Sequence, residues 1–129
     1  MDIQIGAKAS YKVTVDTSNT AKSMGSGSLD VFATPSMVAI MEKASTMALE
    51  SYLEDGTTTV GTALDITHVS ATPIGMNVYA TSEVVAVNNR EITFKVQAFD
   101  DAGLIGEGTH KRFIVMAEKF QNKANKKLN

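Results

Sequence analysis

Three polar residues, Thr34, Glu42 and His68, stand in segments that are otherwise apolar, and their types suit general acid–base chemistry beside a developing oxyanion. Glu42 lies among Ile40, Met41, Ala44 and Ser45. A carboxylate there either reaches solvent beside Lys43 or lines a cleft and is paired, because a lone buried charge is strongly disfavoured. Thr34 precedes Pro35 at a helix start, so its hydroxyl suits an N-cap. The same helix end offers free N–H groups and a positive dipole end to a developing oxyanion. His68 shares the strand phase of Leu64 and Ile66, which places it on an inner face. An imidazole titrates near neutral pH and suits a general base, although a lone inward histidine also serves as a satisfied core residue. Thr34 and Glu42 are eight residues apart, about 12 Å along a helix axis, so joining them in one reaction requires a third group. Gly61, inside a strand, marks a bulge or the close approach of another group to the backbone. His110, beside Lys111 and Arg112, is less constrained.

The elements that must position these residues follow from the apolar pattern. Tyr11, Val13 and Val15 alternate with polar residues and predict a strand over 9–15. Residues 17–27, rich in Ser, Thr, Asn and Gly, read as a mobile loop. Met37, Met41, Ala44 and Ala48 recur at helical spacing, with Val38, Ile40, Met47 and Leu49 around them. A helix apolar on almost every side is buried, and this one is expected to stop near Glu54-Asp55-Gly56. Strands follow over 58–70, 76–87, 91–99 and 104–116, separated by turns at Thr72-Pro73-Ile74-Gly75, Asn88-Asn89-Arg90 and Asp100-Asp101-Ala102-Gly103. Gly106 and Gly108 are candidate bulges, and a short basic helix or tail begins at Ala117. Strand, long apolar helix, then four antiparallel strands predicts an α+β hot-dog fold, a curved antiparallel sheet wrapped around one long buried helix. Residues 1–129 read as a single domain without repeats or linkers. One copy leaves a sheet edge and part of the apolar helix uncovered, which predicts a homodimer.

Composition removes several classes of function. The chain contains no cysteine and two histidines, so disulfides, thiolate metal sites and cysteine nucleophiles are excluded, and no metal or redox cofactor is expected. A net charge of −2 argues against nucleic acid, and no apolar run is long enough to cross a membrane. The first residues lack a signal-peptide pattern, so a cytoplasmic location is expected. Charge is nevertheless uneven: from Lys111 onward, Lys111, Arg112, Lys119, Lys123, Lys126 and Lys127 stand against Glu118 alone. That imbalance is either a solvated tail or a local attraction for the phosphates of a small ligand.

Several segments together carry a specific resemblance. Val31-Phe32-Ala33-Thr34-Pro35-Ser36-Met37-Val38-Ala39-Ile40-Met41-Glu42 and Leu53-Glu54-Asp55-Gly56 followed by Val60-Gly61-Thr62 are two of them. Thr67-His68-Val69-Ser70-Ala71-Thr72-Pro73-Ile74-Gly75, Gly106-Glu107-Gly108-Thr109-His110-Lys111-Arg112 and Glu118-Lys119-Phe120 complete the set. Over residues 31–120 the chain resembles the fluoroacetyl-CoA thioesterase family of hot-dog enzymes. The resemblance implies hydrolysis of an acyl-CoA thioester by Thr34, Glu42 and His68, with Gly61 beside the thioester and Arg112 as a basic substrate-binding residue. It also implies edge-to-edge homodimers that hold acyl-CoA between the subunits. Fluoroacetyl-specific members carry a phenylalanine just before the Val-Phe-Ala-Thr segment. Residues 22–30 here contain no aromatic, which shifts the expected substrate to a plain short-chain acyl-CoA. A non-catalytic acyl-CoA-binding or sensing module on the same fold is the alternative, and a thioester dehydratase is a third reading.

Overall fold

The structure, a computed structural model, describes residues 2–129. The elements are β1 (Lys8–Thr14), α1 (Ala21–Met24), α2 (Thr34–Leu49), β2 (Thr57–His68), β3 (Asn77–Asn88), β4 (Glu91–Asp100), β5 (Gly103–Met116) and α3 (Ala117–Asn125). The strands form one antiparallel sheet in the order β1-β3-β4-β5-β2. The sheet curves around α2, which lies over β1, β3 and β4, and this is the hot-dog arrangement expected from the sequence.

Binary patterning builds the core. From α2, Met37, Ile40, Met41, Ala44, Ala48 and Leu49 are buried. They meet the alternating inner residues Val78, Ala80 and Val84 of β3 and Ile92, Phe94, Val96 and Ala98 of β4. Ser45 is fully buried among them, and its hydroxyl is satisfied by the Met41 carbonyl at 2.8 Å and the Ser82 hydroxyl at 2.7 Å. The helix is not enclosed on every side, however. Pro35, Ala39 and Lys43 face out, with Val38, Glu42, Thr46 and Met47 half-buried, because the sheet covers one flank and the backbone of β2 runs farther from the helix than those of β1 and β3.

Three local readings change. Residues 17–27 are not a plain loop: α1 forms there, opened by a reciprocal capping box between the buried Thr20 and Ser23 and closed by Gly25 at φ +72°. α2 ends at Leu49, earlier than expected, because Glu50–Tyr52 tighten into a 3₁₀ turn and Leu53 is extended. Most consequential is β2. Its register against β5 slips between Gly61 and Ala63, so Thr62 is an extra residue. The inner face is Thr59 and Gly61 before the slip and Ile66 and His68 after it, so the phase expected through Leu64, Ile66 and His68 does not run unbroken along the strand.

β2 is also an edge of the sheet. Over Thr62–Asp65 it is exposed, and Leu64 keeps 39% of its surface in solvent. No helix of the described residues is long and apolar enough to cross a membrane.

Candidate active site

α2 begins without a side-chain cap. Ala33 occupies the N-cap position in extended conformation, and Pro35 falls in the first turn. Thr34 therefore does not cap the helix, as its type and position suggested. Its hydroxyl is committed elsewhere, with Oγ1 2.7 Å from Nδ1 of His68, the last residue of β2. His68 pairs with Gly106 of β5, and that glycine is needed for the approach: a Cβ there would stand 2.6 Å from the Met37 sulfur. Burial pushes the His68 imidazole below its ordinary range, since the charged ring loses more hydration than the neutral one. Its Nε2 is shielded from solvent and has no hydrogen-bond partner among the described residues. A cavity of about 290 Å³ opens at this pair, lined also by Ser26, Phe32, Val69 and Ala71.

Two turns further along α2, Glu42 projects toward the start of β2 and the end of β5. Its Oε2 lies 3.3 Å from a terminal nitrogen of Arg112, and its side chain remains 42% exposed. Gly61 permits this, because a Cβ at that position would lie 2.9 Å from the same carboxylate oxygen. The close approach anticipated at Gly61 and the bulge anticipated there are both present.

Arg112 itself is 93% buried, the complement of its 7% exposure. Its Nε donates to the Thr59 hydroxyl at 2.8 Å, and one terminal nitrogen donates to the Thr59 carbonyl at 3.0 Å. The other terminal nitrogen serves Glu42 and lies 3.2 Å from Nε2 of His110. A guanidinium with its donors spent inside the fold has little left for a phosphate. Arg112, expected as a basic substrate-binding residue, thus lies inside the fold against Glu42 with its donors engaged there.

His110 also departs from its reading as less constrained. It is 2% exposed, its ring stacks on Phe94, and Nδ1 lies 2.9 Å from the Ala63 carbonyl. Thr59 and His110 were the network members missed from the sequence. The available signal was the inward period of His110, Arg112 and Ile114 on β5, the same argument that singled out His68.

The fold thus forms two pairs. Thr34 meets His68, and Glu42 meets Gly61 and Arg112. No hydrogen bond among the described residues joins one pair to the other within a chain.

Comparison with known proteins decides the family. The family model described as fluoroacetyl-CoA-specific thioesterase matches residues 15–118. The chain belongs to the fluoroacetyl-CoA thioesterase family. A fluoroacetyl-CoA thioesterase of Streptantibioticus cattleyicolor is 43% identical over 98 residues, covering 76% of this chain and 70% of that protein. The solved structure of the fluoroacetyl-CoA thioesterase FlK superposes with a TM-score of 0.92 at 34% identity, covering 98% of each chain. A threonine-to-serine variant of FlK in complex with acetyl-CoA matches equally, at a TM-score of 0.92 and 34% identity over 98% of this chain and 99% of that one. A thioesterase-superfamily protein of Thermus thermophilus, 24% identical over 97% of this chain and 93% of that one, shares the fold with a TM-score of 0.89. In this member of the fluoroacetyl-CoA thioesterase family, α1 leads into the Thr34 segment. There α1 presents Met24, whose sulfur accepts a hydrogen bond from the Ser36 hydroxyl at 2.6 Å, and residues 22–30 carry no aromatic ring.

Proposed function

We propose that this chain is a thioesterase that hydrolyses a short-chain acyl-CoA to the free acid and CoA. The observation that carries the reading is the Thr34 Oγ1 to His68 Nδ1 contact of 2.7 Å beside an open cavity. A neutral imidazole in hydrogen-bond contact with a hydroxyl is the arrangement of a general base and the group it activates or orients. His68 takes a proton from water, or from the Thr34 hydroxyl, as the new C–O bond forms at the thioester carbonyl. The oxyanion that develops is stabilised by the first-turn N–H groups of α2. When the C–S bond breaks, the imidazolium returns its proton to the CoA thiolate. Glu42, held by Arg112, supplies the carboxylate, either orienting the imidazole or attacking the thioester to give a transient anhydride. The route uses side chains of this protein and water, with no metal or redox cofactor.

We further propose that the site is completed in a homodimer. The support is the open β2 edge together with the separation of the two pairs. Two β2 strands paired antiparallel about Leu64 and Asp65 set His68 of one chain opposite Gly61 of the other, and so near its Glu42. Residues 1–129 then act as one domain, and a cytoplasmic location accords with a CoA substrate.

The CoA nucleotide is assigned to the basic tail in place of Arg112. Between β5 and α3 lies a groove of about 580 Å³ that includes Arg90, Lys119, Lys123 and Lys126 beside Phe113 and Phe120. Cations suit the phosphates, and the exposed rings suit the adenine.

The deciding experiment measures free thiol released from acetyl-, butyryl-, octanoyl- and fluoroacetyl-CoA. Release that is fastest with a short unfluorinated chain is expected. Binding of these thioesters without thiol release would establish the non-catalytic module instead. Mixing His68→Ala and Glu42→Ala chains tests the shared site. Each mixed dimer would keep one intact site, restoring about a quarter of wild-type activity, whereas sites confined to one chain recover nothing.

A further inference from the structure

The reading above gives His110 no task, yet it is among the most enclosed polar side chains of the molecule. It is 2% exposed on β5, covered by Phe94 of β4 with ring centroids 6.0 Å apart. A buried imidazole must have both ring nitrogens matched, so the partners it takes decide what it holds in place. Here both are matched. The Ala63 carbonyl can only accept, so Nδ1, at 2.9 Å, carries the proton. Nε2 then has a free lone pair, and the Arg112 nitrogen at 3.2 Å donates to it. That same nitrogen donates to Glu42 Oε2 at 3.3 Å. The charged groups acting on His110 are Arg112, on its own strand, and Glu42 from α2.

We infer that His110 is a positioning residue: its neutral imidazole fixes the Arg112 guanidinium that holds Glu42, and through Ala63 it clamps the bulge that brings Gly61 against the same carboxylate. The inference rests on the reading of Glu42 as a working carboxylate. One ring thereby ties the local irregularity of β2 to the aim of a side chain on α2. Thr59 fixes Arg112 from one side with two hydrogen bonds, and His110 fixes it from the other. Burial lowers the basicity of the ring, and the Arg112 charge adds to that, so His110 remains neutral and able to accept. Protonation would turn the acceptor toward Arg112 into a second cation.

Two substitutions separate this role from packing. In His110→Gln the side-chain oxygen reaches the place of Nε2 and accepts from Arg112. In His110→Asn the shorter amide can donate to Ala63 but does not reach Arg112. With acetyl-CoA, the Asn variant is expected to lose kcat by about 10- to 100-fold while KM changes less than about twofold. The Gln variant is expected to stay within about threefold of wild type in both parameters. Nitrogen-15 spectra give a readout independent of turnover. The Arg112 guanidinium protons are expected to be resolved in wild type and His110→Gln and averaged by rotation in His110→Asn. Equal losses of kcat in the two variants, or a folded Asn variant with undiminished kcat, would overturn the inference. Were wild-type protein to release no thiol, the thioesterase reading would fall, while the guanidinium spectra would still decide whether His110 holds Arg112.

Discussion

At the first turn of α2, Thr34 and His68 share one hydrogen bond at the mouth of an open cavity, and one ring nitrogen is left without a partner. Two turns on, Glu42 is the outermost member of a network in which Arg112 makes four hydrogen bonds and both nitrogens of His110 are matched. The first region keeps its capacity for new bonds, which the proposed proton transfers require. The second has spent that capacity on holding one carboxylate in place, as preorganised electrostatics require. Capacity for new bonds and rigidity are thus found two turns apart on one helix, and each region has its own way of failing.

Removing the proposed reacting group from either region has the largest expected effect. His68→Ala and Glu42→Ala should each lower kcat/KM more than about 100-fold, the scale of general acid–base and nucleophilic roles, with circular dichroism unchanged. A folded His68→Ala enzyme with near-normal thiol release would sink the assignment. A smaller and more selective loss is expected at Gly61. In Gly61→Ala the new Cβ meets the flexible end of Glu42 at 2.9 Å and the enclosed His110 ring at 3.2 Å, so the carboxylate shifts most and the ring gives by a few tenths of an ångström. A fall in kcat of about tenfold with a melting temperature close to wild type would mark the tightly held half as the damaged one. If Gly61→Ala unfolds the chain instead, the glycine serves packing alone.

Acidity probes the open half. Burial lowers the His68 pKa from the ordinary imidazole value, and His110 is lowered in the same direction. The base must be neutral, so kcat/KM is expected to hold at neutral pH and to fall on acidification below about 6.5, through the depressed pKa of His68. Stability has the same sign. The unfolded histidines bind protons first as pH drops below about 6.5, so this contribution is complete above that value and is lost toward acid. Calorimetry showing greater stability at pH 5 than at pH 7.5 in the wild type, reversed by His110→Gln, would contradict the direction. The smallest effect belongs outside both halves. The double substitution Lys119→Ala with Lys123→Ala should raise KM for acetyl-CoA about three- to tenfold, leave kcat unchanged, and reduce the salt dependence of KM. An acyl-pantetheine substrate, which lacks the nucleotide, should not register the change. Equal shifts for both substrates would remove the tail from the binding site.

Much of this arrangement was legible in the sequence, and the illegible part has a common cause. The apolar period of residues 37–48 predicts α2, and alternation predicts every strand to within about two residues, because burial dictates both patterns. Thr34, Glu42 and His68 stood out as polar exceptions to those patterns. The burial of Arg112 and His110 was not legible because a charged neighbour, Lys111, stands between them, although alternate residues of a strand face opposite sides. The inner face of β2 does not follow one alternation because the extra residue at position 62 reverses parity, and Gly61 marked a bulge or a close approach without deciding between them. The capping role of Thr34 failed because local preference yielded to a long-range partner 34 residues away.

The length of α2 has a consequence for kinetics. It is a straight run of 16 residues, about 24 Å long, with Thr34 at one end and Glu42 near its middle. In the proposed dimer these two residues belong to different sites, so each helix is a rod shared by two catalytic centres. Substrate that shifts the first turn at one centre displaces the carboxylate at the other. The two centres would then not turn over as independents, and rate against acyl-CoA concentration should depart from a simple hyperbola, a departure that vanishes in mixed dimers with one intact site.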